Sequence, residues 1–196
     1  MFSLARAERR IAEVIAGSDV PEDPVHSRNT LEWLLRLDPK ADPALRIAAL
    51  GHDIERAVEA RKVRRADFAD YDVFKAVHAR NGAAILCEIL RECGVVDDAL
   101  TQEVHRLVCV HEVGGDPRSD LLKDADSLSY FDVNLPRYFE REGWEETRRR
   151  CAWGYLRLSG RARSIVTGLG FGDPLKRLMK ESIEAARALQ KPGEPC

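Results

Sequence analysis

The chain has 196 residues, 33% of them charged, and a formal net charge of −2. A chain of this length suits one ordinary domain, alone or with an appended helical segment, and can bury a core without covalent staples. Its near balance of charge argues against a dedicated nucleic-acid binder, which is distinctly basic. No window approaches a membrane span. The opening "MFSLARAERRIAEVIAG" is broken by charges and does not read as a signal peptide. The five cysteines form no CxxC pair, which points to reduced thiols in a cytoplasmic protein.

Taken in chain order, helical periodicity dominates and strand alternation is lacking. Leu4, Ala7, Ile11, Val14 and Ile15 make a first amphipathic helix, broken by "SDVPEDP". Pro24 opens a second carrying Leu31, Leu34 and Leu35, and "LDPKADP" ends it. The run from Ala44 to Asp53 is a third, followed by a polar, basic connection over 57–70. A long helix is expected from about Asp72 to Cys93, stopped by Gly94, and another from Asp97 to Glu112, ended by "VGGDP". Pro117 starts a helix through Asp132, and three or four Arg-rich helices follow "VNLP" and end near Gln190. The tail "KPGEPC" reads as disordered. The expected fold class is all-α.

The chain has five histidines, and helical periodicity gives each a face. Leu45, Ala48, Ala49 and His52 fall at i, i+3, i+4 and i+7, one face to within about 20°. Phe74, His78, Gly82, Ile85 and Ile89 share a stripe, and Val104, Leu107, Val108 and His111 share another. His26 lies one turn before Thr30 and two before Leu34, again toward the apolar side. His105 sits about 120° from His111 around the same helix, among polar residues, and reads as surface. A single inward histidine is most simply a hydrogen-bonded core residue. Four of them from four helices would need four separate partners, whereas one metal centre satisfies them together. Asp53 and a later aspartate, Asp124 or Asp126 in "KDADSLSYF", can add carboxylates.

His26, then the pair His52–Asp53 in "LRIAALGHDIERA", then "VHARNGAAILCEIL", "VHEVGGDPRSDLLKDADSLSYF" and its aspartates resemble, in that order, the motifs of the HD-domain metal-dependent phosphohydrolase superfamily. The similarity covers about residues 20 to 135. It implies a bundle of five or more core helices around a metal. The chain is then a single HD domain over 1–196, with its core at about 20–135 and a C-terminal helical extension at about 136–190. It also implies that His26, His52, Asp53 and Asp126 hold one divalent ion (Mn, Fe, Co, Ni, Zn or Mg). His78 and His111 serve a second ion or contact the substrate phosphate. Asp126 is preferred over Asp124 because the family's ligand directly follows the alanine.

The reaction implied is hydrolysis of a phosphoester or phosphoanhydride of a small phosphorylated metabolite or nucleotide, with Asp53 orienting the water. Arg28 and Lys123 are candidates to neutralise charge on the reacting phosphoryl group, and Arg61, Lys62, Arg64, Arg65 and Arg80 to hold substrate phosphate. A solvated loop is the competing reading of "RKVRR". Arg56 stands where five-prime deoxynucleotidases carry a glutamate, and the signatures of guanosine polyphosphate hydrolases and cyclic di-GMP phosphodiesterases are missing, so no subfamily is assigned. The same six positions also suit a di-iron oxygenase, and a non-catalytic binding module of the same fold is a third alternative.

Overall fold

Polar residues that cap helix starts mark several element boundaries. Asp42, Asp70, Asp97 and Ser159 each accept hydrogen bonds from first-turn N–H groups of the helix that follows, satisfying donors that a helix start leaves open. The computed structural model describes residues 2–190. Within them lie α1 (Phe2–Ala16), α2 (Asp23–Leu37), α3 (Pro43–Gly51), α4 (Tyr71–Glu92), α5 (Asp98–Val110), α6 (Pro117–Ser129), α7 (Leu135–Arg157), α8 (Gly160–Thr167) and α9 (Leu175–Gln190). Two 3₁₀ turns, Ile54–Ala57 and Arg65–Asp67, lie in the link from α3 to α4, and a π-turn, Tyr130–Asn134, follows α6. There is no strand among the described residues, so the all-α expectation holds. No helix among them is long and apolar enough to cross a membrane. The tail "KPGEPC" lies outside the described residues.

The chain divides into two compact units, one ending at Asp126 and one beginning at Ser127. In the first, α3 packs against α1, α2 and α5, and α4 packs along α5. α1 belongs to this unit because Ala7, Ile11 and Ile15 are buried, so its core begins earlier than the expected residue 20. α3 is buried almost all round. Ala44, Leu45 and the run from Ile47 to Gly51 are covered, while Arg46 reaches Glu8 at 3.3 Å. A helix that is apolar on every side must sit inside, and this placement carries the His-Asp pair at its end into the core. α4 approaches closely at Gly82, where an added Cβ would lie 3.1 Å from the His52 carbonyl oxygen. The glycine therefore serves packing between α4 and the His-Asp turn.

The second unit is built on α7 and α9. α7 is interrupted at Gly143, whose φ of +76° is the left-handed setting that glycine adopts freely. Leu178, Met179 and Ala186 bury the inner face of α9. The Arg-rich segment is an outer helix surface: Arg148 pairs with Glu145, Arg149 with Glu146, and Arg150 and Arg157 stack over Trp153. Cys87, Cys93, Cys109 and Cys151 are free thiols.

Candidate metal centre

His26 comes from the first turns of α2, where Pro24 sets the helical φ. His52 and His111 occupy equivalent places, each the residue capping the C-terminus of its helix, α3 and α5. Both use the same local device. His52 Nδ1–H donates to the Ala49 carbonyl at 3.0 Å, and His111 Nδ1–H donates to the Val108 carbonyl at 2.7 Å. A carbonyl only accepts, so each ring carries its proton on Nδ1 and presents Nε2. His78, on α4, reaches the same state through a side chain, its Nδ1–H donating to Glu55 Oε2 at 2.8 Å. Glu55 is 1% exposed, and its other oxygen accepts the Val63 N–H, which fixes the carboxylate.

The presented nitrogens and two aspartates form two groups of three: His26, His52 and Asp126, and Asp53, His78 and His111. Within each, one donor atom per residue lies within 4.8 Å of the others. His26 Nε2 is 3.2 Å from His52 Nε2 and 3.2 Å from Asp126 Oδ1, and His52 Nε2 is 3.5 Å from that oxygen. Donors at about 2.0–2.1 Å from a transition metal and at right angles lie about 3 Å apart. The spacing of this group fits one face of such a coordination shell. Asp53, a member of the second group, also borders the first. Its Oδ2 lies 3.9 Å from His26 Nε2 and 3.7 Å from His52 Nε2, while its Oδ1 is 2.9 Å from His78 Nε2.

The electrostatics match a site built for positive charge. Burial opposes ionisation of Asp53 and Asp126, yet both sit well below the usual carboxylate range. Arg56, His52 and His78 hold Asp53 there, and His26 and His52 hold Asp126. Burial also opposes the charged form of His52, but Asp53 and Asp126 push its pKa up to about 9. Against the same burial, Asp53 and Glu55 push His78 up to about 9. His111, covered at 1% exposure, is pushed down by its burial. The C-terminal ends of α3 and α5, which carry partial negative charge, both meet this cluster.

All six residues expected as metal ligands therefore come together, Asp126 is the aspartate that joins them, and His105 is exposed. The expected cations fare differently. Arg28 is exposed and two residues from His26, about 200° around α2, so it does not face the cluster. Arg80 stands in the same relation to His78 on α4. Lys123 donates to Asp120 at 2.8 Å and to the Val113 carbonyl at 3.3 Å, which fastens the loop around Gly114. Arg61 pairs with Glu88 at 2.9 Å, Lys62 and Arg64 with Glu59 at 3.8 and 3.0 Å, and Arg65 donates to the Phe68 carbonyl. Arg61 ties the link to α4, while Lys62, Arg64 and Arg65 make their contacts within the link itself.

The cation at the cluster is Arg56, 2.8 Å from Asp53 Oδ2 and 3.4 Å from Asp23 Oδ1. Asp23 is itself buried and receives the Ser18 hydroxyl at 2.7 Å. Arg56 lies three residues after Asp53, and the 3₁₀ turn, with three residues per turn, sets it directly over that aspartate. Glu55 was also not picked out from the sequence, and its signal was an acid inside a segment that must stay buried.

No curated protein and no solved structure shows significant similarity to the chain. The model of one family, described as a domain of unknown function (DUF4202), matches residues 5–179, and the chain belongs to that family.

Proposed function

We propose that the protein is an HD-type metal-dependent phosphohydrolase acting on a small phosphorylated metabolite or nucleotide. The observation that carries this reading is Asp53, whose two oxygens face two separate histidine groups. A carboxylate so placed suits two divalent ions side by side, one with His26, His52 and Asp126 and one with His78 and His111. A donor set of imidazole and carboxylate suits Mn, Fe, Co, Ni or Zn. Ions bound there supply Lewis acidity, acidifying water and drawing charge from phosphoryl oxygens.

The chain's own residues supply orientation and charge. The Ala49 and Val108 carbonyls and Glu55 hold three imidazoles with Nε2 inward, so little reorganisation accompanies binding. Arg56 keeps one N–H on Asp53, and its side chain is 40% exposed, which leaves further donors for an anionic oxygen. That cation favours hydrolysis of a phosphorylated compound over the di-iron oxygenase reading, which uses the same six donors.

Elemental analysis of the purified protein, paired with phosphate release from a panel of phosphomonoesters and nucleotides, tests the proposal. The expected result is at least one transition metal per chain, with phosphate release lost on chelation and restored by a first-row divalent ion. Full metal content in His52→Ala, or oxygen consumption in place of phosphate release, would overturn it.

A further inference from the structure

The stripe of α4 that carries His78 does not end at the metal cluster. Going outward toward the helix start it continues through Phe74 and Tyr71, four and seven residues earlier and on the same face. The Phe74 ring lies 6.3 Å from His78 at an interplanar angle of 25°, and Tyr71 lies 6.0 Å from Phe74 at 29°. Phe68, from the preceding link, meets Phe74 edge-on at 5.7 Å. These rings are not sealed into the core: Tyr71 is 42% exposed, and Phe68 and Phe74 are half-buried. Two cations border them, with Arg65 at 5.6 Å and Lys75 at 5.1 Å from the Tyr71 ring centre.

We infer that Phe68, Tyr71 and Phe74 form a stacking wall for the planar base of a nucleotide whose phosphate lies at the cluster of Asp53, Arg56 and His78. Three features select this occupant. Partly open aromatic rings bind a flat heterocycle through its face with little regard to its identity. The ring series abuts His78 directly, so a ligand spanning wall and cluster carries its flat group close to its anionic group. Arg56 at the cluster supplies positive charge for the phosphate, whereas the cations at the wall are committed, Lys75 to Asp72 at 3.1 Å and Arg65 to the Phe68 carbonyl. A phosphorylated sugar or a small acid phosphate would leave the rings facing water.

The placement of the phosphate rests on the hydrolase reading, and the two can fail separately. Non-hydrolysable phosphonate analogues of adenosine 5′-monophosphate and ribose 5-phosphate are titrated calorimetrically into the metal-loaded protein. Stacking of one base gives the nucleotide analogue an advantage of about tenfold to a hundredfold. The ratio falls toward one in Tyr71→Ala and in Phe68→Ala and is kept in Tyr71→Phe. A ratio near one in the parent protein, or a ratio unmoved by both alanine variants, overturns the wall. A ring-dependent ratio in a protein that releases phosphate from no substrate supports the wall and removes the hydrolase. Equal affinities in a protein that hydrolyses ribose 5-phosphate do the reverse.

Discussion

On the proposed reading Glu55 and Arg56 are neighbours with opposite duties, and their substitutions should separate metal binding from turnover. Glu55 holds the His78 imidazole by its Nδ1–H and is buried. Glu55→Gln is expected to weaken metal affinity by about 10–100-fold, the usual cost of removing such a supporting carboxylate. Competition with a chelator measures it, and an unchanged affinity would leave Glu55 a purely structural acid. Arg56 places positive charge 2.8 Å from Asp53. Arg56→Ala should lower kcat/KM by about tenfold to a hundredfold, the value of a charge-assisted hydrogen bond to phosphate. The same change should tighten metal binding, because a competing cation has gone. If both quantities fall together, Arg56 supports the fold of the site and not the substrate. The histidines were legible from sequence because 3.6-residue periodicity assigns a face directly. The cations were not: where Lys123 or Arg61 ends up depends on which acid lies nearby, here Asp120 and Glu88. Arg56 likewise depends on a distant acid, Asp23 of α2, as well as on Asp53 three residues before it.

At the scale of the element, the histidines that α3 and α4 bring to the aspartates, His52 and His78, impose a pH dependence. In the metal-free protein the pKa of His52 and of His78 is raised from 6.5 to about 9. A raised folded pKa contributes stability that is fully present below about pH 6.5 and is lost as pH rises through about 9. The chelated protein should therefore melt at falling temperature between about pH 6.5 and 9. With metal bound the sign reverses, because the ligand nitrogens must be free of protons and affinity rises with pH. Thermal melts of both forms across this range test it, and parallel curves would show that the metal is held elsewhere. The helix boundaries themselves were largely readable, since Asp42, Asp70 and Asp97 are strong caps. The exceptions are local: the expected third helix stops at Gly51, before the His-Asp pair.

For the whole molecule, the near balance of charge conceals a specific network in the first unit. Arg118 of α6 reaches Asp42, the cap of α3, at 2.7 Å and Glu103 of α5 at 2.8 Å, and Arg106 joins Glu103 to Asp116. Arg118 holds the Asp42 carboxyl below its ordinary range, and Arg106, with Arg118, does the same for Glu103. A depressed carboxylate contributes stability above its unfolded pKa, about 4, and loses it as pH falls through the folded value. Because these groups are partly exposed, each pair is worth less than about 1 kcal/mol. Arg118→Ala should thus lower Tm by about 2–4 °C per kcal/mol lost at neutral pH, with the gap closing under acid. A gap that persists at low pH would assign the effect to packing of the Arg118 stem. This network spans residues 42 to 118 and had no sequence signature, because it depends on which helices become neighbours.

The continuous burial of α3 from Ile47 to Gly51 has a consequence for how the gene tolerates change. α9 has an inner face at Leu178, Met179, Ser182 and Ala186 and open positions between them, so replacements there should be accepted and refused with helical rhythm. α3 offers no such rhythm, since its residues from Ile47 to Gly51 are all covered. A saturation library scored for soluble yield should show a periodic profile over 175–189 and an unbroken block of intolerance over 47–51. Within that block, losses at 47–51 should track the volume and polarity of the replacement, as packing does. At His52 even neutral residues of similar size should keep the fold and fail only in metal content. The stretch of α3 without a silent position is then the stretch that leads into the His-Asp pair.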